Sequence, residues 1–158
     1  MVVTIFGLML FAQVNAQQIA SWKITDVVNF YSKQSDSVYV INFWATYCKP
    51  CLEEMPFIQS VSQKYAGKKV RLLLVSLDLA DFYPSKISTF TKQHSITAQT
   101  VWLNETDADY FCNMVDKKWQ GSMPTTVIIN SKRNYKGFFE KEFTEAEFET
   151  ALKTAIGN

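Results

Sequence analysis

Two cysteines three positions apart, Cys48 and Cys51, are the residues of this chain best suited to chemistry. Cys48 stands between an apolar, β-branched run and a helical pattern, and Lys49 adds a positive charge beside it. A thiolate at the start of a helix is stabilised by unpaired backbone N–H groups and by the helix dipole. We therefore expect a lowered pKa for the Cys48 thiol, with Cys48 as the attacking thiol and Cys51 as the resolving thiol of a disulfide.

The third cysteine, Cys112, and the single histidine, His94, leave other interpretations open. With the C-x-x-C they would supply four ligands, so a metal-binding or metallochaperone module is the alternative, although a second close cysteine pair is missing. A binding domain with a purely structural disulfide is a third interpretation, but so short a loop stabilises little. Cys112 by itself is expected to be a buried, inert thiol, and we expect neither a metal nor another cofactor.

Helical and strand patterns alternate around this pair. Helices are predicted at 22–33, 49–64, 84–94, 105–115 and from Thr144 onward, and strands at 38–44, 69–78, 100–103, 125–130 and 137–143. The segment 69–78 is almost continuously apolar, which favours a parallel strand covered on both faces. Thr144 and Glu147 have the spacing of a capping box. The predicted class is α/β, a mostly parallel central sheet flanked by helices.

Composition and the N-terminal sequence limit the number of domains, the possible partners and the cellular location. The 158 residues suffice for one domain, and a net charge of +1 without a basic run makes nucleic acid a poor partner. Val2 to Ala12 is nearly all apolar, and no charged side chain precedes Lys23. This run is short for a bilayer span and resembles a secretory signal cleaved after Ala16. We predict a signal peptide at 1–16, a folded domain at 17–158 and a periplasmic or otherwise extracytoplasmic location.

Three stretches carry a resemblance to a known family. Phe43 to Cys51 resembles the active-site stretch of thioredoxin-like proteins. Leu52 to Pro56 is similar to the extracytoplasmic TlpA/ResA branch, whose pattern is C-x-x-C-x-x-E-x-P, and Gly121 to Thr126 resembles the cis-proline loop. Pro124 follows Cys51 by 73 positions, which resembles the branch with an extra helix–strand insertion before the cis-proline strand.

The resemblance implies a thioredoxin-like fold and an enzyme, a thiol-disulfide oxidoreductase that reduces extracytoplasmic proteins. It implies that Glu54 exchanges protons with the two thiols. It also implies a cis peptide bond before Pro124, which frees the backbone of Met123 for an extended substrate. The implied partners are protein disulfides and dithiols and a membrane thiol electron donor, and we expect a monomer.

Two departures from the family pattern affect the site. Tyr47 stands where the family usually has tryptophan, and Asn42 occupies the place of the buried aspartate of cytoplasmic thioredoxins. Glu54 is then the leading proton acceptor, since a partly buried carboxylate one turn from Cys51 would have a raised pKa. The alternative is that Glu53 and Glu54 are both solvated acids of a first helical turn. We expect Glu54 to tune the redox pair rather than to stabilise the fold.

Overall fold

A computed structural model of the protein describes residues 18–157. The strands are β1 (Ala20–Trp22), β2 (Val38–Trp44), β3 (Val70–Ser76), β4 (Gln99–Leu103), β5 (Thr125–Asn130) and β6 (Tyr135–Phe139). The helices are α1 (Ile24–Ser32), α2 (Lys49–Lys64), α3 (Ser85–Gln93), α4 (Ala108–Val115) and α5 (Glu145–Ile156). The predicted signal segment lies outside the described residues, and within 18–157 no helix is long and apolar enough to cross a membrane.

The six strands form one sheet in the order β1-β4-β3-β2-β5-β6. The first four strands in this order are parallel, and β5 runs antiparallel to both of its neighbours. Helix α3 and strand β4 are inserted between β3 and α4, and β4 separates β1 from β3. Both the α/β class and the extra helix–strand insertion are confirmed.

Strand β2 lies at the centre of the sheet, and all seven of its residues are buried. Its side chains alternate between two cores, as strand geometry requires. Ile41 and Phe43 pack in the core beside α1 and α4, whereas Val40 packs on the opposite face with α5. Trp44 joins Ile19 in the cluster that also contains the redox pair. Ile19, next to the start of the described chain, is only 2% exposed.

Two element predictions needed correction. Trp22 belongs to strand β1 rather than to the first helix, because the edge of β4 pairs with 20–22. The last strand spans 135–139 rather than 137–143, because Asn134 adopts a left-handed conformation (φ 52°) and turns the chain directly into β6. The capping box is confirmed, with Thr144 N–H donating to Glu147 Oε2 at 2.9 Å and Glu147 N–H to Thr144 Oγ1 at 3.3 Å.

Candidate active site

Cys48 and Cys51 form a disulfide at the start of α2, with Cα atoms 5.3 Å apart. Cys48 is the N-cap residue of that helix, and its N–H donates to Ala45 O at 3.1 Å, which closes the turn after β2. Cys48 is 8% exposed and Cys51 is 0% exposed. Cys48 is therefore the slightly more exposed cysteine of the pair, and Cys51 is fully enclosed.

Asp78, a residue that no sequence motif singles out, holds the loop before Cys48. Its two carboxylate oxygens each accept from Thr46 N–H at 3.1 Å, and Oδ1 also accepts from Thr46 Oγ1 at 2.6 Å. Ser76 Oγ donates to Oδ2 at 2.7 Å. This buried carboxylate joins the ends of the parallel strands β2 and β3. Its sequence signal is an acidic residue placed two positions after the end of a largely buried strand.

Glu54 is fully buried one helical turn beyond Cys51. Its Oε1 accepts from Asn42 Nδ2 and its Oε2 from the backbone N–H of Phe143, both at 2.9 Å. Burial raises the pKa of Glu54 to about 7, and these two hydrogen bonds partly oppose the rise. The burial exceeds the partial burial that we expected, and the contact with Phe143 ties α2 to the segment before α5. Glu54 therefore also connects two elements of the fold.

Asn42 connects this carboxylate to the strand that follows the proline loop. Its Nδ2 also donates to Thr126 Oγ1 at 3.0 Å, and its Oδ1 is buried without a hydrogen-bond partner among the described residues. The two ends of an amide are assigned from their hydrogen bonds. The Asn42 amide can therefore present N–H to an ionised Glu54 or, after a half turn, oxygen to a protonated one.

The loop before β5 has the geometry that the motif predicts. The Met123–Pro124 bond is cis, as expected, and Met123 packs against the cluster that contains the disulfide. Ser122 O accepts from Trp119 Nε1 at 3.1 Å and from Thr125 Oγ1 at 2.9 Å, which fixes the loop on both sides. A second cis bond, Tyr83–Pro84, was not expected from the sequence.

The remaining candidate ligands lie apart from the redox pair. Cys112 is a free thiol in the core beside α1 and α4, and His94 stacks on Phe90 at the end of α3. Within residues 18–157 no group of three or more His, Cys, Asp or Glu side chains is placed to hold a metal ion. The four ligands of the metal-binding alternative are therefore not brought together.

Cys112 should stay unmodified when the reduced, folded protein is alkylated at pH 7.5. It is 5% exposed, and burial, reinforced by Glu140 and Asp109, raises its thiol pKa to about 11. Mass spectrometry of iodoacetamide-treated protein checks this, with protein in denaturant as the fully labelled control. Rapid native labelling of Cys112 would contradict the buried assignment.

Sequence comparisons agree on one family. The profile of the AhpC/TSA family matches residues 13–136. The thioredoxin-like protein YneN of Bacillus subtilis is 28% identical over 119 residues, which cover 72% of this chain and 62% of that protein. The thiol-disulfide oxidoreductase ResA of Oceanobacillus iheyensis is 49% identical over 90 residues, which cover 57% of this chain and 42% of that protein. The chain thus spans less than two thirds of the length of either relative.

Solved structures share the fold. A thioredoxin-related protein from Neisseria meningitidis serogroup B superposes with a TM-score of 0.66 at 24% identity, over 80% of this chain and 90% of that one. StoA from Bacillus subtilis superposes with a TM-score of 0.56 at 18% identity, over 77% of this chain and 86% of that one. At these identities the likeness concerns the fold.

Proposed function

This chain belongs to the AhpC/TSA family of thioredoxin-like proteins, and from that premise we propose that it is a thiol-disulfide oxidoreductase that reduces protein disulfides. The observation that carries the proposal is the disulfide at the start of α2, in which Cys48 is the N-cap residue and is slightly exposed whereas Cys51 is fully buried. A disulfide across only three residues constrains little of the unfolded chain, so a purely structural role explains it poorly.

The first step uses the reduced protein. The Cys48 thiolate, favoured by the start of α2, attacks one sulfur of a substrate disulfide. The substrate S–S bond breaks, a Cys48–substrate disulfide forms, and the departing substrate thiolate takes a proton. Exchange of this kind requires access to the attacking sulfur, and Cys48 is the more exposed cysteine of the pair.

The second step releases the substrate. Cys51 loses its proton to the Glu54 carboxylate, and its thiolate attacks the Cys48 sulfur. The mixed disulfide breaks, the second substrate thiolate departs, and the Cys48–Cys51 disulfide forms. A carboxyl group with a pKa of about 7 is suited to accept and return a proton at neutral pH.

Apolar side chains beside the disulfide suit an extended protein segment. Tyr47 is 58% exposed directly before Cys48, and Leu79 is 66% exposed directly after Asp78. The bonds between Asp78 and Thr46 keep these two loops adjacent. Exposed apolar surface of this kind is typical of protein-binding sites. In this proposal the Met123 backbone, freed by Pro124, pairs with the same segment.

The setting of the reaction is part of the proposal. We assign residues 1–16 to a secretory signal and residues 17–158 to a monomeric domain in an extracytoplasmic compartment. Each cycle leaves the protein oxidised, so a dithiol donor must restore Cys48 and Cys51. A membrane thiol carrier fits that role.

The proposal is tested by insulin reduction and by titration against glutathione. We expect the reduced protein to reduce insulin disulfides, and the Cys48–Cys51 couple to lie within roughly −120 to −270 mV, the range of active thioredoxin-fold proteins. Cys112→Ala keeps the pair intact and should behave as wild type. No insulin reduction, or a couple below about −300 mV, would indicate a structural disulfide instead.

A further inference from the structure

The end of the sheet opposite Cys48 carries an open cleft of about 510 Å³ lined by basic side chains. We call it the far-end cleft. Among the described lining residues, the cations are Lys68, Lys69, Lys132 and Arg133, and the one carboxylate is Asp36. Four cations against one carboxylate is a strong local excess in a chain whose net charge is only +1.

Strand register brings these charges together. Val38, the first residue of β2, pairs with Val70 at the start of β3 and with Asn130 at the end of β5. The turns before β2 and β3 and after β5 therefore meet at one end of the sheet. Lys69 Nζ hydrogen-bonds to Asp36 and, together with Lys132, holds the pKa of Asp36 below its usual range.

The ends of α2 and α5 do not account for the positive charge of the far-end cleft. Helix C-termini carry partial negative charge and favour nearby cations. That effect accounts for Lys64 and Lys153 in the last turns of α2 and α5, which lie outside the cleft and share Glu149 at 2.8 and 3.4 Å. Lys68 and Lys132, by contrast, lie in short 3₁₀ turns and form no ion pair within the described residues.

We propose that the far-end cleft docks on a membrane surface of anionic phospholipids, with Lys68 and Lys132 over the phosphate headgroups. Its cations are exposed side chains on turns, and its one amide donor, Asn130 Nδ2, already donates to Ala155 O at 2.8 Å. No fixed, buried donor is left among the described lining residues to enclose a single phosphate. A layer of headgroups, however, needs only concentrated positive charge close to the surface.

Docking in this way keeps the disulfide accessible. The far-end cleft and Cys48 lie at opposite ends of the seven-residue strand β2, which at about 3.3 Å per residue separates them by roughly 20 Å. A docked molecule therefore directs Cys48 away from the bilayer. This inference is independent of the reaction that the disulfide performs.

Vesicle binding of the full chain tests the proposal, with phosphatidylglycerol–phosphatidylcholine vesicles compared with phosphatidylcholine alone. Lys68→Gln/Lys132→Gln should weaken binding to the anionic vesicles by about 25-fold, since each lysine near such a surface contributes roughly a factor of five. The matched control, Lys117→Gln/Lys118→Gln, removes two exposed charges after α4, outside the cleft, and should bind as wild type. Raising the salt to 1 M should abolish the difference.

Several outcomes would overturn the proposal. Equal losses in the two double variants would mean that net charge alone drives binding. Equal binding to both vesicle types would mean that the apolar N-terminal segment, which all variants share, drives it. Binding of inorganic phosphate at the cleft without binding to anionic vesicles would assign the cleft to a soluble anion.

Discussion

Cys51→Ser should accumulate a mixed disulfide between Cys48 and a substrate protein, whereas Cys48→Ser should accumulate none. The first variant retains the more exposed cysteine of the pair and loses the thiol that resolves the intermediate. Of the redox pair, the second variant retains only Cys51, which is 0% exposed, and its other thiol, Cys112, is 5% exposed. Both variants should lose catalytic turnover in insulin reduction. Non-reducing gel electrophoresis and mass spectrometry of the adduct measure the trapped species.

The design separates attack by Cys48 from nonspecific thiol reactivity. Cys51→Ser/Cys112→Ala leaves Cys48 as the only cysteine and should trap as much substrate as Cys51→Ser alone. Adducts through Cys51 in the Cys48→Ser variant would reverse the proposed roles. Adducts that disappear with Cys112→Ala would place the reactive thiol on α4 instead.

Glu54→Gln should flatten the pH dependence of the free energy of unfolding between about pH 4.5 and 7. Glu54 has a pKa of about 7 in the folded protein against an ordinary 4.5, so the folded state binds more protons in this window. Wild-type stability should therefore fall as pH rises from 4.5 to 7, by up to about 3 kcal/mol, and then level off. Glutamine carries no charge and removes this dependence. Urea unfolding of the oxidised protein at several pH values measures it.

The glutamine amide of this variant has partners available in the same pocket. Its oxygen can accept from Phe143 N–H, and its NH₂ can donate to Asn42 Oδ1, which has no partner among the described residues, once the Asn42 amide turns over. The variant should therefore fold. Its thiol-disulfide exchange near pH 7 should be slower than that of wild type, and the apparent pKa of its thiols should be lower. Glu53→Gln, at an exposed position paired with Lys49, is the matched control and should follow wild type. If the free energy of unfolding of Glu54→Gln varies with pH in parallel with that of wild type, Glu54 titrates normally.

The features that the sequence predicted correctly are mostly those encoded by residues close to one another along the chain. The strand–helix junction at Cys48 is encoded by neighbouring residues, as are the capping box at Thr144 and the proline loop at Pro124. The insertion was predictable from the family spacing alone. Each of these features depends on residues close in sequence or on one distance along the chain.

The rest depends on partners remote in sequence. Asp78 serves the site through Thr46, 32 residues earlier, and no local pattern indicates that pairing. The hydrogen bond from Phe143 to Glu54 spans 89 residues, and without it Glu54 resembles any acid of a first helical turn. Strand β1 has only three residues and exists because β4 offers an edge. Such contacts override local propensity.

The burial of Ile19 sets a boundary for protein engineering. This side chain fills the cluster beneath Cys48 and Cys51, so trimming the chain past Gln18 would open a cavity below the disulfide, and losing a buried isoleucine typically costs about 2–5 kcal/mol. N-terminal affinity tags and fusion partners should therefore be attached before Gln18, so that Ile19 stays packed against the cluster that contains Cys48 and Cys51.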